Sequence, residues 1–251
     1  MSAVILMNAT SNSGLQSIPG FESTDYAYLN GSIVWTGSHA ATQHPRHAYS
    51  PWQSDAFEFN RDKLFEGALL CKSLFKTNQP LSSKTNGLML WFLNHDMPFP
   101  LNLSAARFDA IKHALYKNDL PAFTTAAIRV LGLGNGLTPS GDDFLGGILF
   151  AQAHVPRQAW VADLPKAKQK IQLSATKLTN VISAALLDDM MAGNSYSALH
   201  DVLKAIHSKD SGEIQTCCLK LMRIGASSGS DMLAGLLLAL TSQHQQTTTQ
   251  H

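Results

Sequence analysis

Residues 133–147 read Leu133-Gly134-Asn135-Gly136-Leu137-Thr138-Pro139-Ser140-Gly141-Asp142-Asp143-Phe144-Leu145-Gly146-Gly147. Glycines, hydroxyl side chains and two carboxylates therefore stand directly before an apolar segment with helical spacing. A glycine-rich loop that leads into a helix presents unpaired backbone N–H groups and the positive end of the helix dipole. Because phosphate and carboxylate groups bind at such helix starts, the stretch predicts a site for a small anion.

A second copy of this pattern occurs 88 residues later. It reads Ser228-Gly229-Ser230-Asp231-Met232-Leu233-Ala234-Gly235, against Ser140 through Gly147 in the first copy. We call residues 132–147 the first motif and residues 225–235 the second motif. Two copies at this spacing are too few and too far apart for a solenoid. We therefore expect two related helical halves about a pseudo-twofold axis, with the two motif helices in contact.

Two glycines inside the predicted motif helices indicate where this contact lies. Gly146 and Gly147 each cost a helix about 1 kcal/mol relative to alanine, which is typical of a site where another backbone comes close. Gly235 is the residue of the second motif that aligns with Gly147. Asp143 and Asp231 lie one turn earlier on the same helix faces. Contact through the glycines would bring these carboxylates together. Two such groups could bind a metal ion, share a proton or hold an amide substrate by its N–H groups.

A purely structural interpretation remains open for both motifs. The pairs Ser140 with Asp143 and Ser228 with Asp231 have the spacing of a capping box, in which both side chains bond backbone N–H groups at a helix start. Capping alone would explain the serines and the aspartates. It does not explain the glycines at positions 132, 134 and 136, since each loses backbone entropy that a simple connection need not lose.

Composition excludes several classes of protein. The chain has 251 residues, a formal net charge of +1 and only 15% charged residues, so a basic surface for nucleic acid is not expected. The three cysteines have neither disulfide-framework nor metal-site spacing and are expected to be reduced. Apolar runs stay well below the roughly 20 residues that span a bilayer, and no signal peptide is evident. We expect a cytoplasmic protein without membrane contact.

The residue pattern predicts an α+β fold with an N-terminal, mainly β region at 1–103. Strands are expected at 32–36, 56–59 and 87–93. A C-terminal, multi-helix domain at 104–241 carries the two motifs, and a disordered polar tail follows at 242–251. In that domain Ser104 and Asp119 are predicted to open helices. Further helices are predicted over 142–154, 166–192, 195–207, 213–224 and 229–242.

Several other polar residues are weaker candidates for function. Thr179 and Ser183 lie four residues apart in the predicted helix 166–192, where hydroxyls usually bond helix carbonyl groups. The pair Asp188 and Asp189 is expected to be solvated. A loop with His44, Arg46 and His47 could supply cationic groups to an anion. Motifs of nucleotide-binding P-loops, serine hydrolases and zinc enzymes are absent from the sequence.

The first motif resembles the family that includes the AllH subunit of oxamate carbamoyltransferase. The family pattern Gly-x-Gly-Pro-Gly-Leu-Thr-Pro-Ser-x-Asp-Asp is met from Gly132 to Asp143, with Asn135 in place of the proline. A middle signature is similar to Thr179, Ser183 and the pair at 192–193. The last signature is similar to the second motif. The resemblance covers residues 130–240.

This resemblance implies carbamoyl transfer between oxalurate and phosphate, which gives oxamate and carbamoyl phosphate, in allantoin degradation or purine catabolism. It also implies other carbamoyltransferase subunits as partners. The hypothesis assigns Asp142, Asp143 and Asp231 to catalysis, where they orient the carbamoyl N–H groups or hold a cation. The small anionic substrate (phosphate, carbamoyl phosphate, oxamate or oxalurate) is expected to contact Gly134, Asn135, Gly136, Thr138, Ser140, Gly141, Thr179, Ser183, Ser227, Ser228 and Gly229.

A rival hypothesis from another class stays open. In it the chain is a non-catalytic subunit, which binds a small anion or serves as a scaffold in a metabolic complex while the chemistry takes place elsewhere. No cofactor and no dedicated metal ligand set are predicted in either case, although a divalent cation at the aspartate cluster is possible. Nucleic acid is not expected as a partner.

Overall fold

The computed structural model describes residues 14–20, 25–36, 43–48, 52–83, 85, 87–93 and 104–242. An antiparallel sheet comes first, with strands β1 Leu15–Ser17, β2 Tyr26–Leu29 and β3 Ser32–Trp35 in sequential order. Asn30 and Gly31 both have positive φ in the β2–β3 turn, as a two-residue hairpin requires. Except for Ser242, the predicted tail lies outside the described residues.

Helices make up most of the remaining described chain, and this confirms the α+β class: a small N-terminal sheet is followed by a helical region. A short 3-10 helix covers Gln158–Trp160. The α-helices are α1 Arg61–Thr77, α2 Gln79–Ser82, α3 Gly87–Leu93, α4 Ala105–Lys117, α5 Leu120–Val130, α6 Ser140–His154, α7 Leu164–Leu178, α8 Val181–Met191, α9 Ser197–Ser208, α10 Ser211–Leu221 and α11 Ser228–Thr241.

Two of the three predicted strands are wrong. The segment predicted as a strand at 87–93 is helix α3, which is almost wholly buried. A short, continuous apolar run does not distinguish a buried strand from a buried helix. Residues 56–59 pair with no strand in the described chain, and the Phe57 side chain is exposed. The sequence interpretation also missed α1, although Asn60 caps this helix by accepting a hydrogen bond from Lys63 N.

The helix predicted over 166–192 is two helices, α7 and α8, and the break falls at Thr179 and Asn180. The Asn180 Oδ1 atom accepts hydrogen bonds from the backbone N–H groups of Ile182 (3.1 Å) and Ser183 (3.0 Å). The chain therefore ends one helix and starts another, because the asparagine side chain replaces helical hydrogen bonds. The other predicted helices are present, with ends shifted by a few residues.

The internal repeat extends beyond the motifs to a unit of three helices. Helices α5 and α10 both follow an aspartate N-cap, Asp119 and Asp210, whose side chain accepts from the N–H group three residues on. The residue before each cap, Asn118 or Lys209, is in the left-handed region. Helices α4 and α9 also bury equivalent faces. These faces are Phe108, Ile111, Ala114 and Leu115 in α4, and Leu199, Val202, Ala205 and Ile206 in α9.

Helices α6 and α11 pack against each other at the centre of this repeat, and both are buried on nearly all sides. A Cβ atom on Gly147 would lie 2.0 Å from the carbonyl oxygen of Met232, and one on Gly235 would lie 1.9 Å from that of Phe144. Phe144 and Met232 are equivalent positions of the two motifs, so the two glycine contacts are related to each other as a twofold axis requires. The predicted contact between the two motif helices is confirmed.

Among the described residues, no helix combines the length and the apolar character that are needed to cross a membrane.

Candidate functional site

The two motif helices bring a pair of carboxyl groups together in the protein interior. Asp143 is 5% exposed and Asp231 is 0% exposed, each in the first turn of its helix. Burial, followed by the nearby charge of Asp231, raises the pKa of Asp143 well above its usual value. Within the described chain, the Asp143 Oδ2 atom accepts no hydrogen bond. This pair therefore holds a proton more tightly than exposed aspartates do.

Two hydroxyl groups, one from each motif, meet beside this pair. The Thr138 Oγ1 and Ser228 Oγ atoms lie 2.8 Å apart. Both side chains hydrogen-bond Asp143, and these bonds oppose the rise in the pKa of Asp143. The site thus combines two carboxyl groups with two hydroxyl groups that can either donate or accept. Asp143, Asp231, Thr138 and Ser228 are the predicted site residues that form this cluster, which we call the carboxyl pair site.

The capping-box interpretation of the motifs is wrong. The N-cap positions of α6 and α11 are Pro139 and Ser227, and neither makes a side-chain capping bond. The Asp143 N–H group donates instead to the carbonyl oxygen of Pro139 (3.1 Å), and that of Asp231 donates to Ser227 (2.9 Å). The Ser228 hydroxyl bonds Thr138 across the repeat rather than its own helix. Capping therefore does not explain these serines and aspartates.

Asp142 forms a separate group with Thr179 and Ser183, which we call the Asp142 latch. Its Oδ1 atom accepts from the Gly132 N–H group (2.8 Å). Its Oδ2 atom accepts from the hydroxyls of Thr179 and Ser183, the latter at 2.7 Å. Burial raises the pKa of Asp142, and these hydrogen bonds oppose the rise. Both oxygen atoms are thus occupied in joining the first motif to the break between α7 and α8.

The backbone N–H groups at the two helix starts are less available than the sequence predicts. The Gly141 N–H group donates to the Leu133 carbonyl oxygen (2.8 Å), and that of Gly229 donates to Ile224 (3.1 Å). A helix start binds an anion through donors that the protein leaves unpaired. The closed turns therefore leave fewer donors for phosphate or carboxylate than an open glycine loop would.

The tip of the first loop is the part of the motif that faces outward. Gly134, Asn135 and Gly136 are exposed. Gly136 has φ of +108°, a conformation that favours glycine, and a Cβ atom there would meet no heavy atom within 4 Å. Two remaining predicted contact residues, Ser140 and Ser227, are half-buried.

The sequence interpretation missed two tyrosines and one ion pair. The hydroxyl groups of Tyr26, in β2, and Tyr196, before α9, lie 2.9 Å apart. Arg46 forms a two-pronged ion pair with Asp189, in which Nη2 lies 2.8 Å from Oδ1. The expectation that Asp189 is solvated is therefore wrong. No spacing rule relates these residues, because they come from segments far apart along the chain.

A cleft of about 690 Å³ lies away from the carboxyl pair site, at the C-terminal end of α6. His154 and the buried His200 line it, together with the Arg46 and Asp189 ion pair. Burial is the main cause that lowers the pKa of His200, to about 3. In the described residues, no group of three or more His, Cys, Asp or Glu side chains is placed to hold a metal ion.

Fold and site together define an α+β protein in which an internal repeat of three helices places a carboxyl pair at a pseudo-twofold axis. Residues 130–240 match the family described as oxamate carbamoyltransferase subunit AllH. The matched segment includes both motifs and supports an AllH-like assignment, as the sequence resemblance predicted. No solved structure matches the chain.

Proposed function

We propose that this chain is a subunit of an oxamate carbamoyltransferase-like enzyme. The reaction moves a carbamoyl group between oxalurate and phosphate, with oxamate and carbamoyl phosphate as the products. The family match over both motifs supports this proposal. The buried carboxyl pair of Asp143 and Asp231 is the observation that carries it, because such a pair suits an amide-like substrate.

A carbamoyl group is a planar amide that carries two N–H bonds and one carbonyl oxygen. A protonated carboxyl group can donate to that oxygen, and an ionised one can accept from the N–H groups. The raised pKa of Asp143 beside Asp231 favours one proton on the pair. Orientation of this kind lowers the barrier because the reacting groups are held in place before the reaction.

Phosphorolysis of oxalurate also requires a proton. A phosphate oxygen forms a bond to the carbamoyl carbon, while the bond from that carbon to the oxamate nitrogen breaks. The leaving nitrogen keeps the electron pair and takes up a proton. In our proposal Asp143 supplies this proton as a general acid, and positioned acids contribute about 10²- to 10⁴-fold to rates. Thr138 and Ser228 hold the Asp143 carboxyl group in place.

The remaining predicted residues take supporting roles in this proposal. Asp142, Thr179 and Ser183 position the first motif through the latch and do not contact substrate. The exposed segment Gly134 to Gly136 accepts the anionic end of the substrate. Other carbamoyltransferase subunits complete the enzyme, and the reaction belongs to allantoin or purine nitrogen use in the cytoplasm.

The test is turnover by the enzyme assembled with its partner subunits. We expect Asp143→Asn to lower kcat for oxalurate phosphorolysis about 100-fold or more, since the general acid is lost. Asp163→Asn is the matched control, because Asp163 is an exposed aspartate whose side chain does not cap α7. Equal turnover by the wild type and Asp143→Asn would remove Asp143 from the chemistry. If thermal stabilisation by oxamate or phosphate also persisted, the non-catalytic binding role would be favoured.

A further inference from the structure

The cleft at the C-terminal end of α6 is separate from the carboxyl pair site. Among the described residues, its lining includes none of the four side chains of that site. Asp143 and His154 stand at opposite ends of α6, about 16 Å apart along the axis given the rise per residue of an α-helix. The volume of about 690 Å³ is in the range of small-molecule sites, roughly 300–1,000 Å³. The cleft is thus large enough for a ligand of its own.

The fixed positive charge in the cleft is already engaged within the protein. Arg46 is the one lysine or arginine among the described residues that line the cleft. Its guanidinium group makes the two-pronged ion pair with Asp189 and also donates to the carbonyl oxygens of Ile33 (3.2 Å) and Ala185 (3.3 Å). Four of its five N–H donors are therefore engaged. An anionic ligand would find little unpaired positive charge here.

Carboxyl groups and a histidine nitrogen supply hydrogen-bond acceptors in the cleft. Asp55 and Asp188 line it in addition to the paired Asp189. Asp55 is exposed, and Asp188 Oδ1 accepts from Gln172 Nε2 at 2.8 Å. The His154 Nε2 atom is buried and has no hydrogen-bond partner within the described chain. Helices α6 and α8 also end at the cleft, which places the negative ends of two helix dipoles there. These groups favour a ligand that carries positive charge and N–H donors.

A row of four aromatic rings forms part of the same lining. The centroids of Phe57 and Phe59 lie 4.6 Å apart. The His154 centroid is 5.4 Å from that of Phe59 and 5.5 Å from that of His200. Burial is the main cause that lowers the pKa of both histidines, so both rings are neutral at pH 7. Aromatic rings attract cations, and Phe57 already does so from outside the cleft, where Lys204 Nζ lies 6.0 Å from its centroid.

We propose that this cleft is a second ligand site, which binds a small organic cation with N–H donors and an apolar body. The carboxylates of Asp55 and Asp188 and the His154 nitrogen accept from its N–H groups. The row of rings packs against its apolar body. The substrates of the proposed reaction are anions, so this site selects the opposite charge and goes beyond that reaction. It holds whether or not the chain takes part in carbamoyl transfer.

Titration of the whole chain with three ligands of similar size and different charge tests this selectivity. Benzylammonium carries a positive charge, benzyl alcohol is neutral and benzoate carries a negative charge. At pH 7 and low salt we expect benzylammonium to bind at least about tenfold more tightly than benzyl alcohol, and benzoate to bind most weakly. Calorimetric titration measures the three affinities. Equal affinities of benzylammonium and benzyl alcohol, or no binding of benzylammonium, would overturn the inference.

Substitutions of single carboxylates locate the bound cation. Asp55→Asn and Asp188→Asn should each weaken benzylammonium binding about twofold to fivefold, as for charge pairs near solvent. Asp109→Asn is the matched control, because Asp109 is an exposed aspartate of α4 outside the cleft. Asp143→Asn should also leave the affinity unchanged, since the carboxyl pair site lies at the other end of α6. Equal affinities of the wild type, Asp55→Asn and Asp188→Asn, or a loss in Asp143→Asn alone, would place the cation elsewhere and overturn the inference.

Histidine resonances give a second readout, which needs no change to the carboxylates. The Cε1–H signal of His154 in the NMR spectrum is identified by its loss in His154→Gln, and that of His113 by its loss in His113→Gln. We expect benzylammonium to shift the His154 signal and to leave that of His113, which is exposed in α4. An unchanged His154 signal, or equal shifts of the two signals, would exclude binding in the cleft.

Discussion

Each of the two motifs starts a helix and has a backbone hydrogen bond that closes the turn before that helix, but the loops of the two motifs differ in length. Gly134 and Gly225 are equivalent, because a Cβ atom on either would crowd the serine hydroxyl at the start of its helix, at 3.3 Å from Ser140 Oγ and 2.8 Å from Ser228 Oγ. Five residues separate glycine and serine in the first motif and two in the second. The three additional residues of the first loop include part of its exposed tip.

Asp142 is the second difference. The equivalent position in the second motif is Ser230. The longer loop is joined to the break between α7 and α8 by three hydrogen bonds to Asp142, from Gly132, Thr179 and Ser183. An outward loop with glycines at positive φ gains order from such bonds, since glycine loses much conformational freedom on folding. The repeat thus supplies a symmetric frame, and an additional loop with its own latch makes the first motif different.

The largest expected effect tests the symmetric frame. Gly147→Ala and Gly235→Ala should each lower the free energy of unfolding by about 3 kcal/mol, because each methyl group would overlap a backbone carbonyl of the facing helix. The pseudo-twofold axis predicts similar losses for the two variants, which urea unfolding measures.

Gly212→Ala is the control for these variants. Gly212 lies in α10, and a Cβ atom there would meet only the Asp210 side chain, at 3.3 Å. We expect a change of less than about 1 kcal/mol, since alanine also favours the helix. A small loss at Gly147 together with a large one at Gly235 would show that the helix contact is not symmetric.

The features predicted from sequence are those that recur with a fixed spacing. The motif helices, their contact and the proximity of Asp143 and Asp231 follow from the 88-residue repeat and the positions of Gly147 and Gly235. The latch could not be predicted, because Thr179 lies in a helix break made by the Asn180 side chain. Helical spacing alone favoured one continuous helix there.

The packing of the N-terminal sheet against the helical region was also beyond the reach of sequence patterns. Tyr26 and Tyr196 are 170 residues apart, and their contact depends on how the sheet packs against α8 and Leu137. Long-range packing of this kind leaves no periodic signal in one sequence. The same limitation explains α3, where burial on all sides removes the alternation that separates helix from strand.

A smaller effect tests the difference between the motifs. Asp142→Ala should lower the free energy of unfolding by about 2 kcal/mol, because the Gly132 N–H group and two hydroxyls lose their acceptor. Ser230→Ala, at the equivalent position, should cost less than about 1 kcal/mol, since it removes a single hydroxyl group and not a carboxylate that accepts three hydrogen bonds. Equal costs in urea unfolding would contradict the assignment of the latch to the first motif alone.

The smallest expected change in stability is at Asp143, a position that is aspartate in both motifs. Unlike the losses of stability predicted above, replacement of Asp143 is expected to stabilise the protein. Burial and the charge of Asp231 raise the pKa of Asp143, so the folded state binds this proton more tightly than the unfolded chain does. Between the unfolded pKa, about 3.9, and the raised folded pKa, the native state holds more protons. The free energy of unfolding therefore falls as the pH rises through this window.

Asparagine does not titrate, so Asp143→Asn should become more stable than the wild type as the pH rises from 5 to 8. We expect a gain of about 1 kcal/mol at pH 8, because a buried acceptor without a hydrogen bond is replaced by an amide that can donate to Asp231. Thermal unfolding of both proteins across this range measures the difference. Asp231→Asn should change stability in the same direction, since it removes the charge that faces Asp143. A difference in Tm that stays constant with pH would mean that the pair holds no additional proton, and the general-acid role of Asp143 would lose its physical basis.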